Sequence, residues 1–240
     1  MPGLAHAGAW PRAPGETLAI LKYERSVADA AFDPDGERVD LDRRVDDAVS
    51  LYVERGLTRR LTFQGGAGWA GGREGPVDYA GQGPLELGLR YALRRTDQTA
   101  ISLYAGASLA GEGRNAGYAP AGAGEADLEF RVLAGRSGDL AGRPAFVEIQ
   151  LARLDRAGLP DEDRLDLTAG LEPTPQWLVL AQVYAGQAVQ AGDHPRWVKL
   201  ELSAARRIGD WRLQAGWRQS LTGRSTPVEG GPVFAVWRSF

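Results

Sequence analysis

Read two residues at a time, the chain sorts itself into two faces. In "LELGLRYAL", Leu85, Leu87, Leu89, Tyr91 and Leu93 fall on one side, and Glu86, Gly88, Arg90 and Ala92 on the other. A helix with its 3.6-residue turn cannot separate them this way, whereas a strand does so at every step. The same period runs through Val49, Leu51 and Val53; through Ile101, Leu103, Ala105, Ala107 and Leu109; through Leu128, Phe130 and Val132; and through Val147, Ile149 and Leu151. It continues in Leu165, Leu167, Ala169 and Leu171, in Val198, Leu200 and Leu202, and in Trp211, Leu213, Ala215 and Trp217. The pattern predicts an all-β chain of about twelve antiparallel strands, of which the first, at roughly 17–27, is the least regular.

A soluble sandwich also alternates, so the connections have to decide between architectures. They alternate in length. Short ones lie at 56–60, 94–98, 172–176 and 206–210, and that at 135–143 is somewhat long for its class. Longer ones lie at 33–44, 71–84, 111–125, 155–163, 188–196 and 222–231. Short turns at one rim and long loops at the other are the rhythm of an up-and-down transmembrane β-barrel. Segments of roughly ten residues suit a tilted strand crossing a bilayer. Trp69, Trp177, Trp197, Trp211 and Trp217 stand near segment ends, where interfacial girdles form. The chain closes on "PVFAVWRSF", with Phe234, Val236 and the terminal Phe240 in one register and Arg238 interrupting that face, its head snorkelling to the lipid headgroups. On such a barrel Leu87 faces lipid, and Gly88, opposite, should accept a serine with mild effect.

Composition adds constraints rather than a new picture. The 28 basic and 31 acidic residues give a net charge of −3, with no basic stripe, which argues against a nucleic-acid partner. The chain has no cysteine, which excludes disulfides and thiolate chemistry. No apolar run reaches the roughly 18 residues of a membrane helix, so a membrane route requires a closed barrel. Ala5 and Ala7 give the Ala-x-Ala of a signal-peptidase site with Gly8 as the first mature residue, although no apolar segment precedes them. Residues 1–15 are therefore read as leader remnant and N-terminal stub, and 16–240 as the barrel.

Gly66-x-Gly68-x-x-Gly71 has the spacing of a dinucleotide-binding fingerprint, but no helix follows to hold a pyrophosphate. Leu61, Phe63, Gly65, Ala67 and Trp69 instead make an outer strand face, leaving Thr62, Gln64, Gly66 and Gly68 inward. The acidic loop from Asp33 to Asp42 departs from calcium-loop spacing. Histidine occurs at His6 and His194 only. A lipid-modifying site would need His194, oriented by Asp193, with Ser203 or Ser220 as nucleophile, and no nucleophile motif surrounds either serine. The residues imply no cofactor, no metal and no catalytic group.

"GAWPRAPG" at Gly8–Gly15 and "YVERGLTRRLTF" at Tyr52–Phe63 resemble proteobacterial transporter-like outer-membrane barrels grouped with the phenol meta-degradation pathway proteins. The first is similar to their mature N-terminus and the second to their first periplasmic hairpin. The resemblance implies an even-stranded Gram-negative outer-membrane barrel with both termini in the periplasm, and brings no catalytic residues. A terminal aromatic also resembles the signal read by the barrel-assembly machinery, which makes Phe240 the candidate assembly residue.

Such a barrel places Glu86, Arg90, Glu129, Arg131, Glu148, Arg164, Asp166, Lys199, Glu201, Arg212 and Arg218 toward the lumen. These charges must be hydrated by a channel or paired with one another. Inward Phe146, Leu178 and Leu180 favour a narrow or plugged pore. The expected function is a narrow outer-membrane channel for small polar or aromatic solutes, with outer-membrane lipid and lipopolysaccharide around it. The alternatives are a non-conducting barrel that is structural or binds partners through its loops, and a lipid-modifying enzyme.

Overall fold

A strand with one oily and one wet face must find lipid for the first and a shared polar interior for the second. The computed structural model, which describes residues 8–109, 126–189, 192 and 194–240, resolves that demand by closing the sheet on itself. Its strands are β1 (Thr17–Phe32), β2 (Arg38–Gly56), β3 (Leu61–Glu74), β4 (Val77–Gln82), β5 (Leu85–Arg95), β6 (Thr99–Leu109) and β7 (Ala126–Leu140). There follow β8 (Arg143–Asp155), β9 (Asp161–Thr174), β10 (Trp177–Val189), β11 (Arg196–Ile208), β12 (Trp211–Arg224) and β13 (Thr226–Ser239).

Every strand pairs antiparallel with its sequence neighbour except β4 with β5, and β1 also pairs with β13 from Leu18↔Ser239 to Tyr23↔Phe234, which closes the ring. Short β4 and β5 share one place beside β3. Trp69 to Glu74 pair with β4, and Leu61 to Gly66 pair with β5. The break falls at Gly83-Pro84, where proline has no N–H to give the ladder. The barrel therefore has twelve strand positions and one extra strand segment.

The burial is inverted relative to a soluble protein. Arg90 and Glu201 are fully buried, while Leu87 and Phe130 are 49% and 56% exposed. Those exposed apolar side chains recur at alternate positions of nearly every strand and form a continuous belt that only a bilayer would cover.

Three of the expected long loops are largely strand. β2 begins at Arg38, β3 and β4 meet across residues 75–76, and Ser225 alone joins β12 to β13 at a φ of 48°. The polar residues of 33–44, 71–84 and 222–231 pair backbone to backbone beyond the bilayer, where no apolar face is needed and hydropathy carries no signal. β2 reaches 19 residues, well over the ~10 that a bilayer requires. The expected loop at 111–125 and the expected leader positions Ala5, His6 and Ala7 lie outside the described residues.

Three finer expectations are corrected. A β-carbon at Gly88 would meet the Tyr104 ring, which lies across both Gly88 and Gly106, so Gly88→Ser is not mild. Trp197 does not join a girdle: its ring covers Gly186 on the inward register. Arg238, rather than snorkelling freely, stacks at 4.6 Å on both Trp211 and Phe240 at the rim.

The belt gives a direct test. Leu87→Arg should cost about 2–4 kcal/mol if it faces the bilayer midplane, whereas Leu57→Arg in the β2–β3 turn should cost about 0–1 kcal/mol. Urea unfolding in vesicles measures both, and equal tolerance would contradict the membrane belt.

Candidate functional site: a lumen occupied by the N-terminal segment

The two motifs that carry the resemblance touch one another. Residues 8–13 enter the barrel from the rim of the short turns, and "YVERG" at Tyr52–Gly56 receives them. Arg12 Nε donates to Glu54 Oε2 at 2.6 Å, and Arg90 Nη1 donates to Glu54 Oε1 at 2.7 Å. Tyr52 and Gln64 add hydrogen bonds to the same carboxylate. Higher on the segment, Arg90 Nη2 donates to the Trp10 carbonyl, Ser102 Oγ to the Ala9 carbonyl, and Ala9 N–H to Glu148 Oε2.

Two glycines make the room. A β-carbon at Gly56 would collide with the Ala13 carbonyl, and one at Gly135 with the Trp10 indole. Trp10 and Ala9 are buried with Ala100, Tyr104 and Leu133. What reads as a stub before the barrel is, from residue 8 onward, part of its filling. Sequence gave one usable sign of this: Trp10, with an apolar ring in a stretch too short to fold alone, requires a partner elsewhere.

The cations on the inward faces are matched. Arg131 makes a two-pronged bond to Glu129, at 2.7 and 2.6 Å. Arg218 bridges Glu24 at 2.5 Å and Glu201 at 2.6 Å, with Lys22 beside both. Arg164 and Arg156 hold Glu162, Lys199 holds Glu229, and Arg212 holds Glu172 at 3.2 Å. Glu148 is satisfied by the Ala9 N–H and Gln150. Glu86 and Asp166 have neither an ion pair nor a hydrogen bond among the described residues.

Glu24, Glu54, Lys22, Glu162, Glu172 and Glu229 belong to this network, although the inward charges named from sequence omit them. Glu54 was legible in principle, since Val49, Leu51 and Val53 put it on the inward parity. Arg156 was not, because it lies between β8 and β9 and turns back to Asp127 and Glu162.

Two arginines lie over aromatic rings near the middle of the barrel, Arg131 over Tyr104 at 4.7 Å and Arg218 over Tyr184 at 4.6 Å. On the turn-rim side of this layer is a cavity of about 1300 Å³. The N-terminal segment forms one wall; Leu180, Tyr184, Trp237 and Arg212 are on others. Phe146, Leu178, Leu180 and Ala205 pack as a buried apolar cluster with Trp237 against it. On the loop-rim side is a cavity of about 60 Å³ bordered by Glu86, Glu129 and Arg164. Arg131 borders both.

The candidate catalytic groups do not converge. His194 Nδ1 meets the Gly192 carbonyl and its Nε2 accepts from Arg196. Ser203 accepts from Gln214, and Ser220 bonds to Pro227 and Glu229. Asp193 lies outside the described residues. Among the described residues no group of three or more histidines or carboxylates is arranged to hold a metal, and Asp33 instead caps its own hairpin through the N–H groups of Asp35 and Glu37.

No family model and no curated protein matches the sequence. Solved structures do match the fold. The COG4313 outer membrane channel from Pseudomonas putida F1 superposes with a TM-score of 0.74 over 99% of this chain and 100% of that one, at 15% identity. This chain has the fold of a bacterial outer-membrane β-barrel. The translocator domain of the autotransporter NalP from Neisseria meningitidis is similar more loosely, with a TM-score of 0.52 at 10% identity over 95% of this chain and 90% of that one. The barrel fold and the exposed apolar belt place the protein in the bacterial outer membrane.

The seat of the N-terminal segment can be tested by protease. Trypsin should leave Arg12 intact in the folded wild type, where Glu54 and Thr62 hold it. Gly135→Val should unseat Trp10 and expose the Arg12–Ala13 bond, so that mass spectrometry finds the shortened chain within minutes. Equal protection in both proteins would refute the seat.

Proposed function

We propose that the protein is a narrow outer-membrane channel for small polar or aromatic solutes, kept almost closed by its own N-terminal segment. The observation that carries this reading is a cavity of about 1300 Å³ that runs from the turn rim to mid-barrel, where Arg131 borders both it and a second, smaller cavity. Its mixed wall of ion-paired and aromatic side chains suits solutes with a polar group and a flat ring. The similarity in fold to a COG4313 channel agrees with passage, and the role proposed is not enzymatic. The short turns, with Thr17 at the start of β1 and Phe240 paired at the same rim, support reading that rim as the periplasmic one.

A non-conducting structural barrel is the competing reading, and the pairing of the inward cations favours it. Current separates the two. The refolded protein in planar bilayers should show small steady conductance, and Gly135→Val should raise it several-fold. No current in either protein, with barrel formation confirmed by heat-dependent gel mobility, would overturn the channel reading.

The same reading gives lipopolysaccharide and lipid the apolar belt, and gives the barrel-assembly machinery Phe240. That residue is 64% exposed and pairs with Thr17 across the closing seam. Deleting Phe240 should lower the outer-membrane yield and leave degraded or aggregated chain in the periplasm; unchanged yield would count against an assembly role.

A further inference from the structure

The interior does not balance to neutrality. Between the rims, every inward lysine and arginine among the described residues has a carboxylate within ion-pair distance. The converse fails. Glu86, Glu148 and Asp166 have no such partner; Glu148 is held by the Ala9 N–H and Gln150, whereas Glu86 and Asp166 have no hydrogen bond among the described residues and stand on opposite sides of the Arg131 partition, Asp166 on the large cavity and Glu86 on the small one. Arg131 itself is committed to Glu129 by two bonds and to the Tyr104 ring.

A solute crossing the partition therefore meets cations held by carboxylates, and two carboxylates, Glu86 and Asp166, that no cation approaches to ion-pair distance. Outside, the β1–β2 hairpin carries Asp33, Asp35, Glu37, Asp40 and Asp42 against Arg38 and Arg43, an acidic excess at the loop rim. Arg95, exposed, and Arg207, half-buried, line the large cavity only at the turn rim, where water screens them.

We propose that the passage selects for small cations, amine-bearing solutes among them, and that Asp166 and Glu86 set the preference. This rests on the channel reading. Lining charge governs ion preference in pores because a low-dielectric wall leaves it poorly screened, and only charge without a local partner projects into the path. Arginine-rich lining would suggest anion preference if residues were merely counted. The pairing works against that expectation, because every inward arginine between the rims lies within ion-pair distance of a carboxylate, Arg12 and Arg90 sharing Glu54 and Arg156 and Arg164 sharing Glu162.

The test uses the refolded full chain in planar bilayers under a potassium chloride gradient. Wild type should reverse on the potassium side with several-fold preference over chloride. Asp166→Asn combined with Glu86→Gln should bring the ratio close to one, while Asp210→Asn at the turn rim should leave it unchanged. Each single substitution should give an intermediate ratio, which keeps the test readable if the double variant fails to insert. In liposome swelling, lysine hydrochloride should enter faster than sodium glutamate in wild type and lose that advantage in the double variant. A conducting wild type without cation preference, or preference retained after both substitutions, would overturn this inference and leave the channel reading standing. Absence of current in an inserted wild type would overturn both.

Discussion

Glu54 is the group on which the interior depends. A buried carboxylate must be matched by cations and donors or its desolvation is never recovered, and here Arg90 comes from the barrel wall and Arg12 from the chain that precedes it. One carboxylate thus ties the filling to the container. Gln64 and Tyr52 complete its shell. Arg90 then reaches the Trp10 carbonyl, so the group that neutralises Glu54 also anchors the next turn of the inserted segment.

Width explains why such a device is needed. A twelve-strand ring encloses more space than the small barrels that side chains fill alone, and less than the wide porins that water fills. This protein uses three fillings at once. Large rings lie over glycines: Trp10 of the inserted segment at Gly135, Phe146 and Trp197 at Gly170 and Gly186 of the adjacent strands, and Tyr104 at Gly88 of the adjacent strand and Gly106 of its own. Ion pairs occupy the loop-rim half around Arg156, Arg164 and Lys199. The N-terminal segment occupies part of the rest. Each ring-over-glycine pair gives the wall a bulky inward group where a glycine has surrendered its side chain, so the backbone approaches closely without strain.

The wall was legible in the sequence because its physics is local. Alternation at Leu85–Leu93 reports a strand between lipid and a polar interior whatever its neighbours do. The ends of the hairpins were not legible. Beyond the bilayer neither face of residues 38–44 or 77–82 needs to be apolar, so backbone pairing continues where the pattern has stopped. The N-terminal filling was not legible either, since Ala9, Trp10 and Arg12 are recognised by residues 42 to 139 positions away, which no window reads. Parity offered the lumen face of Glu54 and Lys22 but not their partners, because pairing across a barrel depends on register and shear rather than on spacing.

The filling is lopsided, and the asymmetry accounts for where space remains. Residues 8–13 bind β2 through Glu54 and Gly56, β3 through Thr62, β5 through Arg90, β6 through Ser102, β7 at Gly135 and β8 through Glu148. That seat exists only once all of these strands are paired, so the segment docks late and stabilises one half of the wall. The other half of the wall is β9 to β13 with β1. It meets the segment across the large cavity and is held instead by the Phe146–Leu178–Leu180–Trp237 cluster and by the Arg218 bridge between β1 and β11. The larger open space lies where the chain's own N-terminus does not reach, along the β9–β13 wall, whereas the small cavity beyond Arg131 lies against β5 to β9, so the two spaces are offset to opposite sides of the segment.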